Sequence, residues 1–372
     1  MAKINSRSPY FINLSEANLE SATIKIWIYS GTQTGSIGTG TATYTLISNA
    51  VSNAISFDIS QLVNDYLDGE FDGDYATVNY WVEYKITKVV SGTSTELSGV
   101  RLTAFEGYGY FEEGINPTLQ QDLLQSNNRV IKLDDATLRI PVDTSTTTSV
   151  TFLNNGEEIY DKTVSSSTDS NNQIEYVTNS YSGYDDYQSR VIGEVGGILE
   201  SSPCLEDFFD DYILFPVDTV YVNGTDVSVV RVDSISECKY EPIKLTFINK
   251  FGALQDLWFF KTSKLSIKTD EEEYRANIIS SNTYSTSKHQ YRNLFKSGRE
   301  SLKVNSGFYL ESYNEVFKEL LLSNKAWVYY TGKTLPVQIK TSDMEFKTSL
   351  NDSLIQYSLE LEFAYDKINN VR

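Results

Sequence analysis

The N-terminal third of the chain alternates apolar and polar positions with a period of two. The isoleucines Ile24, Ile26 and Ile28 share one side of the chain, with polar residues or a large aromatic residue between them. The pattern returns at residues 78–86, and a glycine-containing turn sequence follows at 91–93. Such alternation predicts half-buried β-strands, and the turn predicts a hairpin.

Strand signals continue in the middle and at the C-terminus. Asn155-Gly156 supplies the positive φ angles of a tight hairpin turn between strands near 150–153 and 157–160. From Ile355 to Tyr365 every second residue is large and apolar, the most regular alternation in the sequence. This segment predicts one strand that closes a C-terminal domain with one buried face.

Two short segments have the spacing of a helix instead. Apolar residues recur at i, i+3, i+4, i+7 and i+8 from Ile59 to Leu67, and Asp58 precedes them as an N-cap. A similar spacing occurs within residues 311–322. We expect one amphipathic helix from each segment, the first of them at one end of a β-sandwich.

The length of the chain points to several domains. A chain of 372 residues exceeds what one core usually organises, and the glycine- and aromatic-rich segment before Pro117 breaks the strand pattern. We therefore predict a mainly β, multi-domain fold of antiparallel β-sandwich domains with a smaller α+β C-terminal domain. The predicted domains are an N-terminal β-sandwich at 1–112, a middle immunoglobulin-like, β-rich domain at 113–262 and the α+β domain at 263–372.

The charge of the chain excludes some partners. Asp and Glu total 50 against 31 Lys and Arg, so the net charge of −19 opposes contact with nucleic acid or anionic lipid. No apolar run has the length of a membrane span. The local basic stretch Lys288–Arg299 is interpreted as a solvated face or as a binding site for an acidic partner. Cys204 and Cys238 are expected to stay reduced, because two cysteines are too few for a disulfide framework and lack the CxxC spacing of a metal site.

The sequence offers little for catalysis. His289 is the single histidine and lies in a polar stretch, and no nucleotide-binding motif is present, so we expect no enzyme activity and no cofactor. An acidic cluster leaves glycoside hydrolysis open as an alternative to a plain acidic turn. Its members surround Phe208-Phe209 and are Glu206, Asp207, Asp210 and Asp211.

One segment resembles the start of a calcium loop. Asp68, Glu70 and Asp72 alternate ahead of Gly73, as carboxylate ligands do in such loops. The third position carries Glu instead of Asp or Asn, and Asn79 stands where a bidentate Glu is needed. An acidic structural turn is therefore favoured over the metal site.

Two aromatic-rich loops are candidates for binding, because planar rings stack on sugars and anchor protein partners. Ordinary core packing is the alternative for both, and protein contacts are favoured over sugar. The two groups are Tyr108, Tyr110 and Phe111, and Tyr181, Tyr184 and Tyr187.

Three segments carry a resemblance. They are Ser8-Pro9-Tyr10-Phe11-Ile12, then Tyr240–Ala253 (YEPIKLTFINKFGA) with Trp258-Phe259-Phe260, and Ser349–Arg372 (SLNDSLIQYSLELEFAYDKINNVR). Together they resemble virion structural proteins of crAss-like and related phages of Bacteroidetes hosts. The resemblance implies a short-tailed virion built from portal, stacked neck rings, tail hub and fibres, in which β-sandwich domains mediate subunit contacts.

The sequence thus predicts a structural protein of a phage tail or neck, a tail hub or ring subunit, that acts through protein–protein interfaces. We expect it to form a symmetric homo-oligomer and to contact portal, ring, hub or fibre subunits in the virion. Two alternatives stay open: a peripheral module that binds host surface glycans through its tyrosine-rich loops, and a virion-associated glycan hydrolase.

Overall fold

The computed structural model describes residues 2–31, 35–67, 69–75, 80–119, 121–164, 173–181, 213–341, 343–346 and 354–368. The fold is mainly β with several antiparallel sheets and few helices, as the period-two pattern predicts. Two compact units divide the chain: Met1–Ser236 with Ile248–Asp256, and Glu237–Phe247 with Leu257–Arg372. The domain boundaries at 112 and 262 stay predictions.

The first unit begins with eight strands. They are β1 (Ala2–Asn5), β2 (Phe11–Ser15), β3 (Leu19–Ser30), β4 (Tyr44–Asn49), β5 (Ala54–Asp58), β6 (Tyr80–Val90), β7 (Thr93–Glu96) and β8 (Val100–Phe105). One sheet has the order β1-β8-β6-β3-β4, with β7 paired to β6, and β2 and β5 form a separate pair. Both contribute to one core, because Ile12 and Phe57 of the pair pack with the isoleucines of β3. Burial of Ile24, Ile26 and Ile28 confirms the predicted strand.

The first helix is shorter than its apolar spacing predicts. It spans Ser60–Asn64, although Asp58 does accept a hydrogen bond from the Ser60 backbone N–H at 3.0 Å. After Asn64 the backbone hydrogen bonds span three residues instead of four, because the Leu67 N–H donates to the Asn64 carbonyl. This tighter turn still buries Leu67 in the core, which is why its spacing resembles that of a longer helix.

Nine more strands complete the sheets of the first unit. They are β9 (Arg129–Leu133), β10 (Arg139–Asp143), β11 (Thr147–Asn154), β12 (Glu157–Thr163), β13 (Ile174–Thr178), β14 (Ser180–Tyr181), β15 (Ile213–Leu214), β16 (Thr219–Gly224) and β17 (Val227–Ile235). The main sheet has the order β12-β11-β16-β17-β9, and two pairs, β10-β13 and β14-β15, accompany it. Asn155 and Gly156 have φ angles of 52° and 82°, which confirms the predicted hairpin turn between β11 and β12.

Among the described strands, two pairs depart from the antiparallel pattern. β1 pairs with β8, and β9 with β17, in parallel. A parallel pair cannot be closed by a tight turn, so the two members of each lie far apart in the sequence. Alternation within one strand gives no signal of this long-range pairing, and the sequence interpretation therefore did not include it.

The second unit is organised around one large sheet. Its strands and those beside it are β18 (Ile243–Ile248), β19 (Leu254–Phe259), β20 (Lys264–Arg275), β21 (Tyr291–Asn305), β22 (Tyr309–Leu310), β23 (Ala326–Tyr330), β24 (Lys333–Ile339), β25 (Leu354–Ile355) and β26 (Ser358–Phe363). The sheet order is β19-β18-β23-β24-β26-β21-β20, and β22 pairs with β25. A helix at Asn314–Leu322 confirms the second helical prediction and buries Val316, Phe317 and Leu320. No helix among the described residues is long and apolar enough to cross a membrane.

The C-terminal strand is interrupted where the alternation predicts continuity. β25 ends at Ile355 and β26 begins at Ser358, yet Tyr357 between them is buried. The Ser306 N–H still donates to the Tyr357 carbonyl at 2.9 Å, but the Tyr357 N–H donates to the side-chain oxygen of Ser306 at 2.9 Å, so one of the two hydrogen bonds there is made by a side chain. The burial of Ile355, Tyr357 and Leu359 keeps the period of two as far as Phe363, so the one-sided pattern is confirmed over these residues. Its continuity and its C-terminal end are wrong, because β26 ends at Phe363 and Tyr365 is exposed.

Candidate protein–protein interface

A long hairpin extends beyond the sheet of the second unit. β20 and β21 pair in register from Lys264 opposite Lys303 to Arg275 opposite Tyr291. We call residues 269–297 the arm, because this part of the hairpin lies beyond the contact of β21 with the rest of the sheet. Seven residues of β20 take part in the arm, and at about 3.3 Å per residue they form roughly 23 Å of paired strand.

Among the strands that the structure describes, neither edge of the arm has a further partner. β20 is the last strand in the sheet order, and its described partner is β21. β21 in turn pairs with β26 from Ser301 to Asn305, and the Gly298 carbonyl accepts from the Lys367 N–H at 2.8 Å. Nearer the tip, residues 291–297 pair with no second strand among those described. The arm therefore presents two rows of backbone N–H and C=O groups that a further strand can bond.

Apolar side chains cover much of this hairpin in spite of its exposure. Every residue of β20 is exposed, and so are the first six residues of β21. The large apolar side chains on the hairpin and its tip are Leu265, Ile267, Tyr274, Ile279, Tyr284, Tyr291, Leu294 and Phe295. Such a concentration on one projecting element is typical of an interaction surface, whereas single exposed apolar residues are common on any protein.

A β-bulge places one of these side chains. Glu272 pairs with Phe295 and Glu273 with Asn293, which leaves Leu294 as an extra residue of β21. Leu294 is 73% exposed. Bulges re-aim a side chain and increase local twist, and in edge strands they often lie beside functional surfaces.

The two strands of the arm carry opposite charges. Asp270, Glu271, Glu272 and Glu273 are consecutive on β20, whereas the arm segment of β21 carries Arg292 and Lys296. The Lys296 ammonium lies 2.8 Å from a Glu271 carboxylate oxygen, and this pair raises the pKa of Lys296. The β20 edge of the arm is thus acidic along residues 270–273, with Arg275 at its end, whereas the charged residues on the arm segment of β21 are basic.

This arrangement accounts for the basic stretch Lys288–Arg299. The sequence predicts a solvated face or a binding site for an acidic partner, and the basic residues of the stretch are exposed on β21 and the tip, as is His289. Lys296 of this stretch contacts an acidic residue of the same chain, since its ammonium donates to Glu271 on the neighbouring strand. The sequence does not predict a paired strand for this stretch, because no hydrophobic alternation marks it.

The aromatic-rich loop at residues 108–111 of the first unit contains one exposed ring. Tyr108 and Tyr110 pack edge to face with ring centres 5.9 Å apart, and the Arg7 guanidinium lies 4.8 Å from the Tyr108 ring centre. These two tyrosines therefore serve local packing. Phe111, the next residue in the same loop, is 98% exposed at the start of a 3-10 turn. Of the three aromatics predicted as binding candidates, Phe111 alone offers its ring to a partner.

The first unit also contains a polar cleft of about 740 Å³. Its charged and aromatic lining residues are Lys3, whose ammonium forms an ion pair with Asp143, and Tyr10, Asp122 and Asp226, beside several hydroxyl and amide side chains. The side chain of Asn116, another lining residue, already forms two hydrogen bonds within the protein. It accepts from the Phe11 N–H at 2.6 Å and donates to the Phe11 carbonyl at 2.8 Å. The volume suits a small ligand, and the lining suits a polar one.

One buried carboxylate in the first unit has a structural role. Glu83 is 1% exposed and accepts hydrogen bonds from Arg101 at 2.7 Å, the Tyr29 hydroxyl at 2.8 Å and the Gly38 N–H at 2.7 Å. Burial raises the pKa of Glu83, but these hydrogen bonds outweigh it, so the pKa lies below the usual glutamate value. A carboxylate held ionised by this many donors orders the sheet and is poorly suited to exchange protons.

A buried asparagine organises the segment that returns to the first unit. Asn249 is fully buried, and its carbonyl oxygen accepts from the N–H groups of Phe251 and Ala253, each at 3.0 Å. Its amide donates to the Leu124 carbonyl at 2.6 Å and to the Gln255 side chain at 3.1 Å. Sequence analysis missed both Asn249 and Glu83, because a single polar residue in a strand-rich segment carries no sign of its burial.

The calcium-loop candidate is only partly described. Asp68 lies outside the described residues. Asp72 accepts a hydrogen bond from the Asp74 N–H at 3.0 Å, which is the geometry of a self-capped acidic turn, and Glu70 lies in the same segment. Within the residues that the structure describes, no group of three His, Cys, Asp or Glu is arranged to hold a metal ion. The metal site stays a prediction.

Several other candidates lie wholly or partly outside the described residues. The acidic cluster around Phe208-Phe209 and Cys204 lie there, whereas Cys238 is exposed with a free thiol. Tyr184 and Tyr187 are also outside, and Tyr181 is described only as part of β14. Comparison with protein-family models and with curated proteins finds no match for this chain.

Proposed function

We propose that this chain is a structural protein of a bacteriophage tail or neck, a ring or tail-hub subunit that acts through protein–protein interfaces and catalyses no reaction. The arm is the single observation that carries the proposal. It combines unpaired strand edges, exposed apolar side chains and separated charges on one projecting element.

Physical chemistry favours a partner for the arm. A two-stranded hairpin outside a larger sheet is at best marginally stable in water, and apolar side chains on it gain about 25 cal/mol for each Å² that a partner covers. A long edge strand is a liability unless it is charged or covered. The acidic run on β20 keeps the unassembled chain soluble, together with the net charge of −19, until a matching surface is met.

The assignment to a phage virion rests on the three segments that resemble virion proteins of crAss-like phages. The partners that follow are portal, ring, tail-hub or fibre subunits, and the place is the virion after assembly in the host cytoplasm. Phe111 supports contacts to such partners from the first unit, since an almost fully exposed aromatic ring is a typical interface anchor.

The experiment is mass photometry and negative-stain electron microscopy of the purified full-length chain at 1–50 μM. We expect closed rings of uniform copy number. The matched control is an arm-less variant in which residues 269–298 are replaced by Asn-Gly, which joins Lys268 to its register partner Arg299 through a tight turn. It should remain folded and monomeric. A wild-type chain that stays monomeric throughout this range contradicts the proposal.

Glycan binding is the second candidate function, and the polar cleft favours it. Hydroxyl, amide and carboxylate side chains beside a tyrosine ring can hydrogen-bond and stack on a sugar. The test is a glycan array probed with wild type and with an Asp122→Ala, Asp226→Ala variant. Binding that the variant loses supports this candidate, and binding absent from both proteins removes it.

A further inference from the structure

We propose that the arms of neighbouring copies pair edge to edge, with β20 of one copy bonded to the arm segment of β21 in the next. This inference rests on the proposed function and names the contact that builds the ring. The occupant of each free edge is a second copy of this chain.

The strand directions permit this contact without a change in the arm. β20 and β21 run in opposite directions within one hairpin. When two arms stand side by side and point the same way, β20 of the first lies antiparallel to β21 of the second, so the antiparallel ladder continues from copy to copy. A contact between two different edges is heterologous, and such a contact builds a ring when the rotation from one copy to the next closes on itself.

The charges select this pairing over the alternatives. An acidic β20 edge beside another β20 edge would set eight carboxylates against one another, since each arm carries Asp270, Glu271, Glu272 and Glu273. Two β21 edges would oppose Arg292 and Lys296 to their own copies. The mixed contact brings the acidic run of one arm beside the basic residues of the next, so like charges directly opposite are avoided.

The apolar residues of the arm fit the same contact. Tyr291, Leu294 and Phe295 lie on the part of β21 that has a free edge, and Tyr274 lies on β20. In a continued sheet, side chains of adjacent strands lie about 4.5–5.5 Å apart on each face, so these residues cover one another between copies. The bulge at Leu294 adds twist, which a sheet needs in order to close on itself.

Charge reversal tests the contact. One variant carries Glu271→Lys with Glu273→Lys, which leaves two carboxylates, Asp270 and Glu272, beside the two added lysines and so removes the acidic excess of the β20 edge. A second variant carries Arg292→Glu with Lys296→Glu, so that both edges are acidic. Each alone should lose ring formation, with at least a tenfold fall in the assembled fraction at 10 μM, while circular dichroism and thermal unfolding stay close to wild type because the arm lies outside the cores.

Mixing the two variants separates a contact between copies from one within a copy. In both variants the pair between Glu271 and Lys296 of the same chain is broken, so repair inside one chain cannot restore rings. An equimolar mixture should nevertheless form rings in which the two variants alternate, which native mass spectrometry detects as equal numbers of each. A chain that carries all four substitutions should form rings alone.

The outcomes separate this inference from the proposed function. Wild-type rings that persist in both single-edge variants, or a mixture that fails to assemble, overturn arm pairing and leave the structural role standing. A wild-type chain that forms no rings at any concentration overturns the proposed function itself. Rings from wild type and the mixture, with none from either variant alone, support both.

Discussion

The fully buried Asn249 offers a direct test of what holds the first unit together. Asn249→Ala removes its two accepted and two donated hydrogen bonds and leaves the N–H groups of Phe251 and Ala253 and the carbonyl of Leu124 without that partner. A buried polar group without a partner costs about 1–3 kcal/mol. Allowing for partial relaxation, we expect a loss of about 3–5 kcal/mol, a large part of the 5–15 kcal/mol that stabilises an ordinary domain.

The measurement is urea unfolding followed by tryptophan fluorescence, since Trp81 is a fully buried reporter in the same unit. With a slope of about 2–3 kcal/mol per molar urea, the loss corresponds to a midpoint lower by about 1–2 M. Asn13→Ala is the matched control, because Asn13 is exposed on a strand of this unit, and its substitution should change stability by less than about 0.5 kcal/mol. Equal midpoints for the two variants would refute the reasoning.

Three other predictions follow from burial and charge. Leu359→Asp places a carboxylate at a position with 0% exposure and should unfold the second unit, whereas Glu360→Lys on the exposed side should leave it folded; circular dichroism decides, and equal effects would refute the one-sided strand. The pKa of Glu83 is lowered by its hydrogen bonds, so its contribution is present above the unfolded-state pKa of about 4.3 and is lost as the pH falls through the folded-state value. Glu83→Gln should therefore destabilise the first unit by several kcal/mol at pH 7 and by progressively less as the pH falls below the unfolded-state pKa; a loss that does not shrink with falling pH speaks against this account. Cys204 and Cys238 should remain unbonded, and a dominant crosslinked peptide in alkylated, unreduced protein contradicts this.

Local patterning predicted much of the fold because burial on one face leaves a period in the sequence. The isoleucines of β3 and the residues around Leu359 are clear examples, as is the Asn155-Gly156 turn, whose φ angles only a few residue types adopt easily. These features depend on neighbours in the sequence. The prediction of a mainly β fold therefore needed no knowledge of which strands pair.

Patterns among neighbouring residues do not predict long-range strand pairing or the candidate interface. The parallel pairs join strands that lie far apart in the chain. The sequence does not predict the arm, because β20 is exposed on both faces and has no hydrophobic period. Its acidic run is typical of a solvated loop. The ion pair between Glu271 and Lys296 follows only from the strand register, which places the two residues side by side.

The most direct test of assembly through the arm is hydrogen–deuterium exchange of the arm backbone in assembled and unassembled protein. Wild type at 20 μM is compared with the Glu271→Lys, Glu273→Lys variant at the same concentration, and peptides from β20 and from residues 291–297 are followed. Strand pairing between copies predicts that these amides exchange at least tenfold more slowly in the wild-type assembly, while peptides from the buried strand β3 exchange alike in both proteins. Equal exchange of the arm amides in rings and in monomers would contradict the account.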